Sequence, residues 1–552
     1  MKQLNKEQAL AVHHVDGPML VLAGPGSGKT RVLTERIRFL IEQQNISPGN
    51  ILVLTFSKKA ALEMQQRFFK LIGNSSYPVC FGTFHAVFFH ILKLYGGSQK
   101  ESLYELKTED RAVWQPDFDA MITDCRKLLF ENPEQRRKWQ DRYRYILVDE
   151  FQDSNEMQYD VLKLLAGGRA NLFCVGDEDQ SIYGFRGAVP GIMQRFKEDF
   201  PSCKQTELTV NYRCSDEIIH AADSLIQNNT ERMKTHRQRV ALKSARADAV
   251  TARLFMTKEE EADFICEELM RLKNIFDDKN DRVKIAVLYR VQSASSLLEE
   301  KLLLKGIPYE RNESQKSFYE EEWVLDVFAY LKLAAGSREK SCIYRILNKP
   351  QRELSRESIA GDNVDFEQMY RYYKEIPKQL MKLKRLHRDI GYISEMPPFA
   401  AITYIRKGIG YGEYLKQKMM KQGYEKEEIE NLFEELLARS REFRTIQEWI
   451  CYLEELRLAG RKSNRTGKTA PIVLQTIHAS KGLEYDAVFV IGLTEGILPH
   501  KKADTIEKVE EERRLLYVAM TRARKKLYLC AVQKNKASDI SRFTKEIRLQ
   551  FT

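Results

Sequence analysis

No stretch of this 552-residue chain approaches the ~18 consecutive apolar residues that a membrane helix requires. The longest apolar runs, Met19 to Ala23 and Ile51 to Phe56, stop after one short strand's length, so a spanning protein is ruled out. The opening residues, Met1-Lys2-Gln3-Leu4-Asn5-Lys6-Glu7-Gln8, lack the apolar core and small-residue cleavage site of a signal peptide, and a cytoplasmic location is expected. The nine cysteines are scattered without a single C-x-x-C pair, which argues against zinc and iron-sulfur sites and for reduced, mostly buried thiols. No repeat of fixed period and no low-complexity segment is present, which excludes solenoids and propellers. What is present is ordinary globular material: 43% hydrophobic, 10% aromatic and 30% charged residues. At ~150 residues per domain the length implies three or four domains. The formal charge of +11 permits a polyanionic partner but serves solubility equally well.

Met19 to Ala23 is an apolar run ending in glycines, and Arg31 to Gln43 then repeats apolar residues at helical spacing, giving strand, loop, helix. Ile51 to Phe56, Val79 to Thr83 and Tyr145 to Val148 read as further buried strands. Between the last two, Leu92 to Arg142 is charged and strand-poor, which marks an insertion. The pattern repeats on a larger scale: strand-like segments at Lys284 to Leu288, Ile472 to Thr476, Ala487 to Ile491 and Leu527 to Ala531 flank a helical block from Ala335 to Lys468, closed by linker-like Gly460 to Thr469. The expected fold is α/β, with two parallel-sheet cores that each carry a mainly helical insertion. Residues 1–90 and 142–207 form the first core around a 91–141 insertion; residues 208–335 and 466–552 form the second around 336–465.

Ala23-Gly24-Pro25-Gly26-Ser27-Gly28-Lys29-Thr30 follows a strand and opens a helix, the context a phosphate-binding loop requires. Its glycines let backbone N–H groups turn onto phosphate oxygens, and the helix N-terminus adds a favourable field. Lys29 is placed to reach the β/γ-phosphates of ATP and the Thr30 hydroxyl to ligate Mg²⁺. Ala23 stands where the strict pattern has glycine, so the match is to the relaxed form. Tyr145 to Val148 ends in Asp149-Glu150, where one acid suits the metal and the other suits a water.

Further along stand Val148-Asp149-Glu150-Phe151-Gln152-Asp153, Gly176 to Ala188, Asn211-Tyr212-Arg213, His478-Ala479-Ser480-Lys481-Gly482-Leu483-Glu484 and Glu511 to Ala523. Together, and in this order, they resemble the UvrD/Rep/PcrA family of superfamily 1 helicases, of which this chain looks like a compact member. The resemblance implies ATP bound between two RecA-like cores. It assigns Gln8 to the adenine edge, Arg31 and Tyr212 to stacking on the ring, Glu484 to the ribose and Gln180 to the γ-phosphate. It makes Arg213 and Arg522 arginine fingers of the second core and Glu150 the group that activates water, with Asp149 and Thr30 on Mg²⁺.

The same resemblance implies a grip on single-stranded DNA and duplex junctions through Phe56, Lys58, Thr83, His85, Tyr183, Phe185, Arg186 and His478. Aromatic and imidazole faces for bases, beside hydroxyl and cationic groups for phosphates, suit binding that tolerates any sequence. Taken singly, Phe56, Phe84 and Phe185 read as core residues; family position favours contact for Phe56 and Phe185 and leaves Phe84 open. Phe185 stands where the family usually has tryptophan. Glu353, in Asn348 to Arg356, replaces part of a Gly-Ile-Gly turn of larger relatives and adds a charge that repels phosphate. The activity implied is an ATP-dependent 3′–5′ DNA helicase. The alternatives are a single-strand translocase or protein-displacing motor with weak unwinding, aided by a nuclease or a repair or defence factor, and an ATP-gated binding subunit.

Overall fold

The computed structural model describes residues 3–73, 77–96, 117–230, 232–233, 240–243, 248–277, 283–311, 318–359, 361–422, 426–464, 471–533 and 539–552. It divides into two compact units, Met1–Ala294 with Ile472–Thr552 and Ser295–Pro471. No described helix is long and apolar enough to cross a membrane. All nine cysteines are free thiols, most of them buried.

The first unit holds two parallel sheets. In one, the strands run Cys80–Thr83, Ile51–Thr55, Tyr145–Val148, Leu172–Gly176, Met19–Ala23 and Lys204–Leu208 across the sheet. Its inner strands are buried at every residue, as a sheet covered on both faces demands. The pleat sorts their side chains: Leu20, Leu22, Leu52, Leu54, Ile146 and Val148 enter one apolar cluster, and Met19, Val21, Val53, Leu147 and Val175 enter the other. The helices Phe118–Glu131 and Pro133–Arg142 add Met121, Ile122, Leu129 and Trp139 to the first of these clusters. The edge strand Lys204–Leu208 begins with exposed Lys204 and Gln205 and carries no apolar run that would have announced it.

Within this unit the second sheet runs Ile472–Thr476, Ile285–Tyr289, Tyr485–Val490, Ala523–Val532 and Val250–Phe255, all parallel. Ala286, Leu288, Val488, Val490, Leu527 and Leu529 pack with Ile218 and Leu225 of the helix Asp216–Ile226 and with Leu515 and Leu516 of the helix Ile506–Met520. The strand Val210–Ser215, which carries Asn-Tyr-Arg, pairs with Val240–Lys243 in a small separate parallel ribbon.

The second unit is helical, with a core centred on Trp323, Phe328, Tyr330 and Trp449. Its buried carboxylate, Asp326, is compensated by Lys349 at 2.8 Å, Arg345 at 3.2 Å and the Tyr411 hydroxyl at 2.8 Å, without which burial of the charge would be strongly destabilising. Glu353, at φ +60°, pairs with Lys382 at 2.6 Å and Lys378 at 3.7 Å. Its charge is therefore neutralised locally, and it occupies two cations of the basic helix Pro377–Ser394. The expected linker at Gly460 to Thr469 begins as helix, because Ile446–Asn464 continues through its first residues; residues 465–470 lie outside the described residues.

One buried acid has no part in any site below. Glu261, on the helix Lys258–Asp277, is 5% exposed and one of its carboxylate oxygens has no hydrogen-bond partner. Burial pushes its carboxyl up to about 7, against the opposing Gly492 amide and Lys258. An acid that ionises near 4.5 when unfolded but near 7 when folded favours the native state at low pH, and this contribution is lost as pH rises through that window. Thermal melts should therefore show Glu261→Gln more stable than wild type above pH 7, by on the order of 3 kcal/mol, and no different at pH 4.5. A pH-independent difference would contradict this assignment.

Candidate functional site

The strand Met19–Ala23 delivers its C-terminal end into the loop Gly24 to Gly28, and the helix Lys29–Glu42 begins directly after it. Gly26, at φ +66°, is fixed as glycine by space as well as by angle: a Cβ there would sit 2.6 Å from the Arg213 Cβ and 2.7 Å from Asn211 Oδ1. The Asn211 amide donates to the Pro25 carbonyl at 2.7 Å and the Tyr212 N–H to the Gly26 carbonyl at 2.9 Å. Ser27 Oγ donates to the Gly24 carbonyl at 2.7 Å. With these carbonyls engaged, the loop is held in one conformation. The helix has no side-chain N-cap, which leaves its first amides available to an anion.

Gln8 lies at one end of this loop, its amide donating to the Ser27 carbonyl at 2.9 Å, and a capping box with Asn5 fixes its position. Asn5 in turn donates to the Tyr212 hydroxyl at 3.0 Å. Gln8, Ser27 and Tyr212, far apart in sequence, are thus brought together. Arg31 is half-buried on the first turn of the same helix, and Ala23 and Thr30 bracket the loop.

The second strand end carries the acids. Glu150, in the left-handed region at φ +52°, accepts from Gln152 Nε2 at 2.6 Å and from Lys29 Nζ at 3.4 Å. Asp149 Oδ1 accepts from the Glu150 N–H at 3.1 Å. Burial and the adjacent Glu150 push Asp149 up to about 7. Burial also acts upward on Glu150, but Lys29, Lys481, the Gln152 hydrogen bond and Arg522 together pull it down to about 2. The cations gathered around Glu150 thus favour its ionised form, whereas burial and the Glu150 charge disfavour that of Asp149. The hard oxygens of Asp149 and Thr30 suit Mg²⁺, and no cluster of three or more metal-ligating side chains occurs among the described residues. A carboxylate and a hydroxyl are the donor types of an ion that takes its remaining ligands from phosphate and water.

Opposite these groups, Gln180 donates to Asp177 Oδ2 at 2.6 Å and accepts from Arg522 Nη2 at 2.9 Å. Arg522 is 2% exposed and also donates through Nε to the Val518 carbonyl at 2.9 Å. Burial and then Arg213 pull its guanidinium down to about 10. Arg213 donates to Glu484 at 2.9 Å and to the Thr521 carbonyl at 3.2 Å. Glu484 is thus engaged by Arg213, with Arg524 at 3.7 Å.

The residues expected to meet nucleic acid fall into two groups. Tyr183, Phe185 and His478 form one ring cluster: Phe185 and His478 lie 5.5 Å apart edge to face, and Tyr183 is 6.0 Å from Phe185. Phe185 is 66% exposed, which no core residue would be. Phe56, Thr83 and His85 cluster where the paired strands Ile51–Thr55 and Cys80–Thr83 end. Phe56 is half-buried 5.3 Å from Phe84, and Phe84 is buried, which settles it as core. Thr83 Oγ1 accepts from the Ala86 N–H at 3.2 Å, His85 packs 4.5 Å from Phe118 with its pKa lowered by burial, and Lys58 is exposed. The side chain of Arg186 lies outside what the structure describes.

Residues 4–112 and 97–201 match the UvrD/REP helicase N-terminal domain, and residues 206–361 and 360–534 match the UvrD-like helicase C-terminal domain. The chain belongs to the UvrD/Rep helicase family. As a member of it, the protein is an ATP-driven DNA helicase, and its two parallel sheets are the family's RecA-like cores. YjcD of Bacillus subtilis (strain 168) is 33% identical over 98% of this chain and 80% of its own length. The ATP-dependent DNA helicase PcrA of Staphylococcus epidermidis is 29% identical over 99% of this chain and 86% of its own length. PcrA of Staphylococcus aureus is 29% identical over 96% and 83%.

Two helicase side chains at this site escaped sequence reasoning. Lys481, from the second core, donates to the Asp153 carboxylate and to the Gln180 carbonyl at 2.6 Å, with its ammonium 4.9 Å from the Tyr183 ring. Gln152 ties the two acidic strand ends together, donating to Glu150 and accepting from the Asp177 N–H at 3.0 Å. Both stand inside motifs whose spacing was legible; only their partners were not. If Arg522 is the cation that completes the cleft, Arg522→Ala should slow ATP turnover by about 10³-fold while sparing DNA affinity. Phosphate release and fluorescence anisotropy measure the two quantities, and turnover near wild type would contradict the role.

Proposed function

We propose that this helicase moves 3′ to 5′ along single-stranded DNA, one core gripping while the other advances, and unwinds duplex as it meets a junction. The observation that carries the reading is the Gln180 to Phe185 segment. Its first residue takes the Arg522 hydrogen bond in the cleft, and its last presents an exposed ring beside His478. A change in the cleft is thereby transmitted over five peptide units to a surface suited to stacking on bases.

Phosphates of ATP bind to the amides of Gly26 to Thr30, and Lys29 exchanges Glu150 for a phosphate oxygen. Glu150, released from Lys29, orients the attacking water. Gln8, Arg31 and Tyr212 hold the base, and Glu484 turns to the ribose once Arg213 moves to phosphate. Asp149 and Thr30 would hold Mg²⁺, which when bound would neutralise charge at the phosphates. Arg213 and Arg522 add positive charge only when both cores close, which ties hydrolysis to movement. A cytoplasmic setting suits all of these components.

The pairing of Glu353 with Lys378 and Lys382 favours a second reading. With two cations of the helical unit so occupied, duplex contact is weak, and the protein acts mainly as a translocase that strips bound proteins or serves a nuclease or a repair or defence factor. Strand displacement on 3′-tailed, 5′-tailed and blunt duplexes tests both. ATP-dependent opening of the 3′-tailed substrate alone is the expected result. Displacement of streptavidin from a biotinylated strand without duplex opening would select the second reading, and opening from a 5′ tail would overturn the first.

A further inference from the structure

The helix Ile506–Met520 carries five consecutive charged residues, Glu510 to Arg514, and each has its own partner. Three of them anchor the helix within the second core. Glu510 accepts from the Thr230 N–H at 2.7 Å, Glu512 accepts from Arg290 at 3.0 Å, and Arg513 donates to Glu546 and to Asn229. The other two, three residues apart and hence on one helix face, reach across to the first core. Arg514 Nε donates to the Ser181 carbonyl at 3.0 Å, and Glu511 Oε1 accepts from the Gly184 N–H at 2.9 Å. Both target atoms are backbone groups between Gln180 and Phe185. A Cβ on Gly184 would lie 2.9 Å from both Glu511 carboxylate oxygens, so a side chain there must push the Glu511 carboxylate aside.

We infer that Glu511 and Arg514 are positioning residues that clamp the Ser181 to Gly184 backbone to the second core, so that cleft closure fixes the Phe185 ring. The inference rests on the proposed stacking of Phe185 on DNA. Arg522 fixes the start of the segment through the Gln180 side chain, and the clamp fixes its remainder. On the far side of the loop, Gly187 N–H donates to the Gly184 carbonyl at 2.9 Å and Ala188 N–H to the Tyr183 carbonyl at 3.2 Å. Both attachments involve a charged side chain, and Glu511 makes the one nearer the ring. Without it the cleft still closes and ATP is still split, but the ring is no longer held during the step.

The test measures nucleotides moved per ATP in the full-length protein on oligo(dT), from stopped-flow translocation and phosphate release. Glu511→Ala should keep DNA-free turnover and lower the ratio about tenfold, the loss expected for one hydrogen bond to a charged group. Glu511→Gln, which still presents an accepting oxygen, should restore most of it. Gly184→Ala should reproduce the defect by steric contact, and the double variant should be no worse than the poorer single one, because both remove the same contact. A normal ratio in Glu511→Ala and Gly184→Ala beside a defective Phe185→Ala would overturn the clamp alone. A normal ratio in Phe185→Ala would overturn the stacking reading and the clamp with it.

Discussion

A buried arginine hydrogen-bonded to a buried glutamine, Arg522 to Gln180, is the contact on which the rest of the site depends. A guanidinium removed from water is tolerable only where its donors are satisfied. Here they end on the Val518 and Leu483 carbonyls, the Thr521 hydroxyl and the Gln180 side chain. Of these, Gln180 belongs to the first core and the others to the second. The arginine is therefore paired in full only while the two cores meet. Lys481 reinforces the same junction through the Gln180 carbonyl and Asp153.

Around that contact the charges are arranged to exchange partners. Lys29 rests on Glu150, and Arg213 rests on Glu484. In the proposed scheme a phosphate draws each cation away, and the carboxylate it leaves takes up a role in turn. Asp149 completes the set, pushed up by burial and by its neighbour with Lys29 opposing. The loop itself does not rearrange in this scheme. Asn211 and Tyr212 pin its carbonyls, so the cation side chains move against a fixed backbone.

What sequence reasoning reached, and what it missed, follows from the range of the interactions. The phosphate loop was legible because its chemistry is local: an apolar strand, glycines at two left-handed positions and a helix start within a few residues. Most inner strands announced themselves as apolar runs buried on both faces, but Leu172–Gly176 was passed over although every residue of it is buried, and Lys204–Leu208 and Val250–Phe255, at sheet edges with polar residues among the apolar ones, gave no such signal. Phe84 could not be separated from Phe56 by type, since both are phenylalanines at strand ends; only packing distinguishes the buried one. Lys481 and Glu511 were visible as letters in motifs, but their partners lie some three hundred residues away, and no spacing rule encodes such an approach. Glu353 was read as repulsive from its own charge alone; the fold pairs it with two cations of another helix.

The central claim is that ATP is bound by the Gly24 to Thr30 loop and hydrolysed there in response to single-stranded DNA. Steady-state phosphate release by Lys29→Ala, with and without a long oligo(dT), tests it most directly. The account predicts that the variant still binds the oligonucleotide but that its DNA-stimulated hydrolysis falls to the level of a protein-free control. Stimulated turnover within tenfold of wild type, a gap of only about 1.4 kcal/mol in barrier height, would contradict it.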